Sequence, residues 1–527
     1  MSLVEFELKE SYWKSIEIQP YDIEFIYSFL LEKETPMPSV KLAEALVTER
    51  IRLEKENLEQ KQMEKGDIFL PKLNYSVGDM VQFPALRWTN GTVKDVRDGK
   101  NPKFPGLKVI TVEFKNGKNR QFAANIENHV LNEAVSESAD LSDNNVQKIV
   151  EDFGEEITAK LENQLEKNQD LVKIGANWFP KSLLIEFNMG HLNLAEAVLD
   201  MHGGGPLSVD ALLEQIDITS DDPKELVEFS LNYALQDDAR FDEVGPSGVV
   251  QWFLNRLEPD YVRQKPVELV YDPVEYDRSV LDDDMLRAEQ NIDDEYIPFN
   301  QEFSKKISSK EVSIILNYPH WRIGCIPLTP YTKPFFPTAL ESPRVKFKLI
   351  DPRGEEISAW VVRPFNFVYG LKDWFDELEL MPGSIINIKP GKDRGEVLIQ
   401  PQKKRSNREW IRTLLIGADG GVVFAILKQT ITTDFNERMA VAVPSTDVLD
   451  ELWQKRAHNP MPIKKVILSV MTELAKLNPQ GHVHAVELYA ALNCIKRCPP
   501  GHIFSILVSE PEFTAVGDLY FRLNDQP

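Results

Sequence analysis

The pattern of apolar and polar positions predicts a small helical unit between residues 194 and 254. Apolar residues recur at helical spacing in 194–201, and a Gly-Gly-Gly-Pro turn follows them. Ser208, a favourable N-cap, opens a second helix, and a third helix comes after it. The unit ends in Phe-Asp-Glu-Val-Gly at 241–245 and an apolar run at 249–254. The predicted order is therefore helix, turn, helix, helix and β-hairpin.

The last residues of the chain repeat this order. Apolar residues in 463–471 predict a first helix, which a turn at 479–481 ends. A second helix is predicted at 486–492, and a third begins near Pro500. The sequence Phe-Thr-Ala-Val-Gly at 513–517 then precedes another short apolar strand. The two units share the element F-x-x-V-G followed by a strand, which is the winged-helix plan.

These two units resemble the winged-helix module of HARE-HTH type that begins the bacterial RNA polymerase delta subunit and occurs in several chromatin and restriction proteins. In that family the module contacts nucleic acid or polymerase, so the resemblance implies such a role here. Winged helices also serve as docking platforms for proteins, and fold alone does not separate the two roles.

Two further predicted regions precede these units. Residues 1–72 are predicted to be helical, and the helix that Ser39 caps can be interpreted as part of a degenerate helix-turn-helix. In 73–132 short alternating strands are separated by Asn-Gly turns, which predicts a small β-barrel. Its opening Val-Gly-Asp and its turn spacing resemble SH3-like barrels of transcription and translation factors.

The remaining boundaries follow from shifts in composition. The predicted fold class is multi-domain α+β, with an acidic linker and charged helix at 133–173, a winged helix at 174–259, an acidic and partly disordered linker at 260–311, a β-rich domain at 312–456 and a C-terminal winged helix at 457–527.

The β-rich domain carries a second resemblance. The segments Lys-Phe-Lys-Leu-Ile-Asp-Pro-Arg-Gly at 346–354, Trp-Val-Val-Arg at 360–363 and Gly-Leu-Lys-Asp-Trp-Phe at 370–375 resemble the DNA-binding pseudobarrel of plant auxin-response-type factors. Trp374 lies four residues past the glycine instead of beside it, and Ser384 stands where that family has an acid. The matching residues are core formers, so the resemblance implies a fold and identifies no base-reading residue.

Composition excludes several classes of protein. Among 527 residues, 83 acids against 60 bases give a net charge of −23, which argues against coating nucleic acid by bulk charge. Three cysteines exclude a disulfide framework and fit a reducing compartment. The chain shows no signal peptide and no apolar run long enough to span a bilayer, so a cytoplasmic protein without membrane contact is expected.

Local basic segments are the candidate nucleic-acid contacts in this acidic chain. Arginine and lysine can bind phosphates, and an aromatic ring can stack on a base. The candidates are Lys403, Lys404, Arg405, Arg408, Trp410 and Arg412 in the β-rich domain, and Lys464, Lys465, Lys496 and Arg497 in the C-terminal winged helix. Each basic segment can alternatively be a solvated loop or a partner for the acidic linkers. In the first winged helix the third helix is acidic, which favours binding to protein.

A cluster of possible metal ligands lies in the same C-terminal unit. These residues are His482, His484, Cys494, Cys498 and His502. Sulfur and imidazole suit zinc, but C-x3-C is not the usual knuckle spacing and the winged-helix plan explains the segment without metal. The favoured interpretation has no metal and no cofactor.

Three patterns resemble catalytic motifs. His202-Gly-Gly-Gly resembles an esterase oxyanion loop, but no G-x-S-x-G elbow accompanies it. Asp98 with Glu113 and Lys115 imitates the magnesium site of nucleases, although alternation in an exposed strand explains these residues better. The glycines at 417–421 lack a phosphate-binding pattern. The sequence therefore favours a protein that is not an enzyme.

The leading hypothesis is a non-enzymatic protein that acts on DNA or the transcription machinery, with RNA polymerase or another protein as a possible partner. The basic segment of the β-rich domain and the C-terminal winged helix would contact nucleic acid, and the acidic winged helix would dock a protein. The alternative is an acidic interaction scaffold that binds no nucleic acid. A magnesium-dependent nuclease is a distant third.

Overall fold

The computed structural model divides the chain into two compact units, Met1–Leu184 with Pro223–Leu226, and Ile185–Asp222 with Val227–Pro527. Both contain helices and sheets, which confirms a multi-domain α+β protein. The structure describes residues 10–63, 67–83, 86, 89–101, 104–114, 117–127, 129–132, 143–216, 222–304, 310–339, 342–392, 395–417, 421–458 and 461–524.

The first unit contains four helices and two sheets within the described ranges. Its helices are α1 Glu10–Lys14, α2 Pro20–Lys33, α3 Ser39–Met63 and α4 Asp143–Leu165. Its strands are β1 Met37–Pro38, β2 Asp67–Ile68, β3 Met80–Phe83, β4 Thr89–Asp98, β5 Lys108–Phe114, β6 Asn119–Ala124, β7 Leu171–Ile174 and β8 Asn177–Pro180. One sheet has the order β2-β3-β4-β5-β6 and the other β1-β8-β7.

The second unit holds the remaining elements. Its helices are α5 Met189–Met201, α6 Val209–Leu213, α7 Lys224–Gln236, α8 Asp260–Arg263, α9 Asp283–Asn291, α10 Tyr318–Ile323, α11 Lys372–Glu377, α12 Thr446–His458, α13 Ile463–Ala475, α14 Ala485–Asn493 and α15 Pro500–Ser509. Helix α7 belongs to this unit from Val227 onward. Its strands are β9 Phe241–Glu243, β10 Trp252–Leu254, β11 Val312–Ile315, β12 Cys325–Pro327, β13 Arg344–Ile350, β14 Glu356–Val362, β15 Phe367–Tyr369, β16 Ile385–Pro390, β17 Glu396–Pro401, β18 Lys403–Ile416, β19 Val422–Thr433, β20 Val483–His484, β21 Phe513–Gly517 and β22 Tyr520–Leu523.

Three segments of the chain share one topology. In each, a helix leads to a short extended segment, two more helices follow, and the second strand of a terminal hairpin pairs with that short segment. The pairs are Met37 with Trp178 in the first segment, Leu207 with Trp252 in the second and Val483 with Phe521 in the third. Phe241 and Phe513 both begin the first hairpin strand and are buried, so the two F-x-x-V-G elements occupy equivalent places.

The first of these segments corrects two predicted boundaries. Residues 133–173 were predicted to be a linker and a separate helix, but α4 is the third helix of the N-terminal segment, because Ile157 and Leu161 pack in one core with Leu42 of α3. The hairpin β7–β8 belongs to the same segment, so the boundary predicted at 174 is wrong. The five-stranded sheet β2–β6 is therefore an insertion between α3 and α4.

The acidic stretch 260–311 is not the extended linker that its composition predicts. Among its described residues, Asp294 and Glu295 are buried, and both pair with the buried guanidinium of Arg497 at 2.7 and 2.8 Å. Glu289 is also buried and pairs with Arg278 at 2.5 Å. The prediction fails because these carboxylates are neutralised by partners in the folded unit, which a count of charges along the chain does not reveal.

A seven-stranded sheet forms the centre of the second unit. Its order is β11-β16-β17-β13-β14-β15-β12, antiparallel except where β13 runs parallel to β17. Alternation of apolar residues along β13 and β16 sends Val345, Phe347 and Ile386 into one core. Trp374, in the short helix α11, is buried in this core.

Gly383 begins the segment that leads into β16, and its backbone requires glycine. Its φ is +97°, and a Cβ there would lie 2.6 Å from the Cα of Ala440. We expect Gly383→Ala to lower the free energy of unfolding of the second unit by about 2 kcal/mol, from strain and displaced backbone. Gly354→Ala is the control, because φ is +83° there but nothing lies within 4 Å of the added Cβ. Equal losses of stability in urea denaturation would show that the close approach is unimportant.

Candidate nucleic-acid interface

A long β-hairpin, formed by β18 and β19, carries the main basic segment. The strands pair from Ile416 with Val422 through Trp410 with Lys428 to Lys403 with Thr433, and the register shifts between Lys403 and Asn407. The apolar runs of these strands lie at 414–416 and 422–427, but β18 begins at Lys403. The basic residues before 413 therefore lie on a strand rather than on a loop.

The hairpin is anchored at several points and is exposed along much of its length. Leu414 and Phe424 pack in the core that contains α13 and α14, and Ile411 and Ile431 pack against Ala440. Strand residues on alternate positions face opposite sides, so Arg408, Trp410 and their partners share one face. This anchoring holds the exposed face in a defined geometry.

Trp410 is the most exposed aromatic side chain on this face. Its residue surface is 64% exposed, and the Lys428 ammonium lies 5.1 Å from the ring centroid. Arg408 precedes it by two residues on the same strand face, and Ile426 beside it is half exposed. A solvent-exposed indole between two cations can stack on a flat ring and accept a neighbouring anion.

Four of the six candidates in the basic segment are exposed cations. These are Lys403, Lys404, Arg405 and Arg408. Lys404 lies 3.3 Å from the Glu409 carboxylate and 4.8 Å from the Phe435 ring centroid. Within the described part of the chain, no carboxylate forms an ion pair with Lys403, Arg405 or Arg408. These three charges are therefore available to an external anion.

Arg412 has a structural role instead. Its side chain is 13% exposed, its Nη2 lies 3.2 Å from Glu487, and its Nη1 donates to the carbonyls of Arg438 and Ala440 at 3.2 and 3.3 Å. Burial lowers the pKa of Arg412, and the Glu487 carboxylate opposes that effect. The candidate assignment of Arg412 to nucleic acid therefore has no support from its position.

The C-terminal candidates are also mostly engaged. Lys464 pairs with Glu510 at 2.6 Å and Glu512 at 2.8 Å, and Arg497 is fully buried against carboxylates. Lys496 is half-buried and donates to the Met461 carbonyl at 2.6 Å. Lys465 is exposed. Arg497 is one of the candidate nucleic-acid contacts, and its burial excludes that role.

The five possible zinc ligands do not converge on one point. His484 caps α14, where its Nδ1 accepts the Val486 amide at 3.2 Å, and burial lowers its pKa to about 4. The Cys494 thiol donates to the Ala490 carbonyl. Only Cys498 and His502 are close, at 3.7 Å. No group of three or more His, Cys, Asp or Glu side chains suited to a metal occurs among the residues described.

The nuclease-like residues are separated along their strands. Asp98 pairs in register with Lys108, whereas Glu113 pairs with Thr92, five residues further along β5. Five strand residues span about 17 Å, so the two carboxylates are too far apart to share a magnesium ion. Glu113 instead lies 2.9 Å from Lys94, and Lys115 lies outside the described residues.

Lys428 is a site residue that the sequence did not indicate. It lies in β19, beyond the basic segment of β18, and only the register of the hairpin brings it opposite Trp410. The sequence shows only that Lys428 directly follows the apolar run 422–427.

Comparison of the chain with protein-family models, with curated proteins and with solved structures found no match. In the ranges that the structure describes, no helix is both long enough and apolar enough to cross a membrane.

Proposed function

We propose that this protein binds nucleic acid through the β18–β19 hairpin, and that single strands bind more tightly than duplexes. The observation that carries the proposal is the exposed indole of Trp410 between Arg408 and Lys428. Bases in a single strand can stack on such a ring, whereas duplex bases are already stacked. Phosphates then lie near the cations that flank the ring.

The charge of the whole chain does not oppose this proposal. Salt screens interactions between exposed charges beyond about 8–10 Å, so a strand on the hairpin mainly experiences the nearby charges. Lys403, Arg405 and Arg408 lie on the same β-strand. Glu409 lies on the opposite face from Trp410 because adjacent residues alternate.

We further propose that the three segments with shared topology are winged helices and that β2–β6 is an SH3-like barrel. The pairing of each short strand with the second hairpin strand supports the first assignment. The five-stranded order and its compact aromatic core, which includes Phe69, Phe83 and Phe114, support the second. In the C-terminal segment Lys464 and Arg497 are engaged internally, so we assign nucleic-acid contact to the hairpin.

The charge of the hairpin is tested by fluorescence anisotropy with a labelled single strand and a matched duplex at several salt concentrations. We expect the triple variant Arg405→Gln, Arg408→Gln, Lys428→Gln to lose at least about tenfold in single-strand affinity. The slope of log K against log salt should decrease in magnitude by about two, since each lost phosphate contact contributes about 0.7. The control variant, with the same change in net charge, is Lys348→Gln, Lys455→Gln, Lys476→Gln, because these lysines are exposed elsewhere in the same unit.

Trp410→Ala separates stacking from charge. We expect it to weaken single-strand binding by about 5- to 100-fold, because stacking on an aromatic side chain contributes about 1–3 kcal/mol per base. The salt slope should stay unchanged, and Trp410→Phe should recover part of the affinity. Equal losses in the hairpin and control triple variants, or full binding by Trp410→Ala, would contradict the proposal.

Docking of a protein is the second candidate, and a specific feature favours it. Ile426 is exposed on the same face of the hairpin as Trp410, and an exposed apolar side chain beside an aromatic ring is typical of protein interfaces. Absence of single-strand binding even at low salt would reject the first candidate. Capture of a protein that is lost with Trp410→Ala would then support the second.

A further inference from the structure

A cavity of about 500 Å³ lies in the second unit, away from the residues assigned to the hairpin contact. Its walls come from the segment 267–274, the end of α12, the start of α13 and the connection between α14 and α15. Most of the lining is apolar, and includes Val267, Val270, Trp453, Met461, Pro462 and Ile495. This volume lies within the range of about 300–1,000 Å³ that small-molecule sites occupy.

Two cations lie on the wall of this cavity without an ion-pair partner. Arg456 Nη1 donates to the Ile495 carbonyl at 3.3 Å, and Lys496 Nζ donates to the Met461 carbonyl at 2.6 Å. Across the described part of the chain, neither forms an ion pair with a carboxylate. Each cation uses one N–H group for its bond to a carbonyl and has further N–H groups that can bind a ligand. In a chain with 83 acids and 60 bases, two neighbouring cations that form no ion pair are unusual.

Both cations are held at an energetic cost. Burial lowers the pKa of Arg456, and burial with the nearby positive charge of Arg456 lowers the pKa of Lys496. A bound anion would relieve this cost because it stabilises both charged forms. Arg497 also lines the cavity, but its guanidinium pairs with Asp294 and Glu295 and is not available to a ligand.

The other polar groups on the wall limit the charge of the ligand. Asp272 is exposed and is the one carboxylate of the lining, so two cations and one acid leave a local charge near +1. His502 Nδ1 lies 2.9 Å from the Tyr271 hydroxyl, and burial lowers the pKa of His502, so it stays uncharged at neutral pH. A monoanion matches this balance better than a dianion.

We propose that this cavity binds a small amphiphilic carboxylate, with an aliphatic or aromatic body against the apolar wall and the carboxylate between Arg456 and Lys496. Arginine and lysine donate charge-assisted hydrogen bonds to the two carboxylate oxygens. The body displaces water from the valines, Met461 and Ile495, which contributes the apolar part of the affinity. The site is separate from the hairpin, so either assignment can fail without the other.

The probe is naphthalene-2-carboxylate, titrated into the full chain by isothermal calorimetry. Two comparison ligands keep the naphthalene ring and change the polar group: 2-naphthylmethanol is neutral, and 2-naphthyl phosphate is mainly a dianion at neutral pH. We expect the carboxylate to bind at least about tenfold more tightly than the alcohol, because the alcohol leaves both cations unpaired. We also expect no gain in affinity for the phosphate. Equal binding of the carboxylate and the alcohol would overturn the proposal.

Substitutions locate the site. Arg456→Gln and Lys496→Gln should each lower the affinity for naphthalene-2-carboxylate at least about tenfold, since each removes one charge-assisted hydrogen bond. Lys455→Gln is the matched control, because its side chain lies next to Arg456 on α12 but is 75% exposed. Asp272→Asn should strengthen binding, and this exposed change does not put folding at risk. Unchanged affinity for the carboxylate in both Arg456→Gln and Asp272→Asn would overturn the proposal. The hairpin variants should bind the carboxylate as tightly as the wild type does.

Discussion

Replacement of Arg497 by methionine is expected to lower the free energy of unfolding of the second unit by about 3–5 kcal/mol, because it leaves two buried carboxylates without their cation. Arg497 Nη2 lies 2.7 Å from Asp294 Oδ1 and 2.8 Å from Glu295 Oε2, and Nη1 lies 2.8 Å from Asn493 Oδ1. All four side chains are buried.

The ionic character of this cluster explains the expected size of the effect. Burial acts to raise the pKa of Glu295, but the neighbouring Arg497 and His320 outweigh burial and hold the pKa well below its usual range. Tyr489 donates to Asp294 Oδ2 at 2.6 Å, so that side chain also accepts a hydrogen bond inside the cluster. Removal of the guanidinium leaves charges that cannot reach water.

Urea denaturation monitored by tryptophan fluorescence measures the loss of unfolding free energy. Lys465→Met is the control, since this lysine is exposed. Addition of Asp294→Asn and Glu295→Gln to Arg497→Met should recover part of the stability, because neutral amides cost less to bury than unpaired carboxylates. A loss below about 1 kcal/mol for Arg497→Met, with no gain from the two amides, would contradict the ionic interpretation.

Glu258→Gln is expected to remove a pH dependence of stability and to stabilise the second unit by about 3 kcal/mol above about pH 8. The Glu258 side chain is buried, and its Oε2 lies 2.7 Å from Arg344 Nη1. Asp242 Oδ2 lies 3.0 Å from Nη2 of the same guanidinium. Burial first, and the adjacent Asp242 second, raise the pKa of Glu258 to about 8 from 4.5.

The sign of the pH dependence follows from this raised pKa. The folded protein holds the proton on Glu258 more tightly than the unfolded chain does. The resulting stability is therefore complete below pH 4.5 and is lost as the pH rises through about 8. Glutamine imitates the protonated acid, since its amide can donate to Asp242 and accept from Arg344.

Urea midpoints of the wild type and Glu258→Gln, measured from about pH 5 to about pH 9, check this prediction. The two proteins should be similar at the acid end and diverge as the pH rises, with the wild type less stable. Burial also raises the pKa of Glu268, but that residue is present in both proteins, so their difference isolates Glu258. Parallel curves over the whole range would show that Glu258 is ionised throughout.

Apolar periodicity was sufficient to predict the elements that pack locally. The helices around 463–471 and 486–492 and the hairpin after Phe513 occur as predicted, because each buries one stripe or face of apolar residues. The first part of β18 is polar and shows no apolar alternation, so the sequence left open whether its basic residues lie on a loop.

Features that depend on distant partners were not predictable from local pattern. Asp294 and Glu295 belong to an acidic stretch that suggests disorder, and Arg497, which neutralises them, follows about two hundred residues later. In the candidate site, Arg408 is exposed and the Arg412 side chain is only 13% exposed, so two arginines with the same local character in sequence have opposite roles in the fold. Lys428 lies at the site only because the register of β18 and β19 places it opposite Trp410.

The insertion of the five-stranded sheet between α3 and α4 has a consequence for synthesis on the ribosome. Strand β1 emerges early, but its partner β8 is made only after the whole insertion, so the N-terminal segment cannot close until Trp178 is available. The insertion contains all its own strands and can fold first. Once folded, it shortens the effective loop that must be closed, which reduces the entropic barrier to joining β1 and β8.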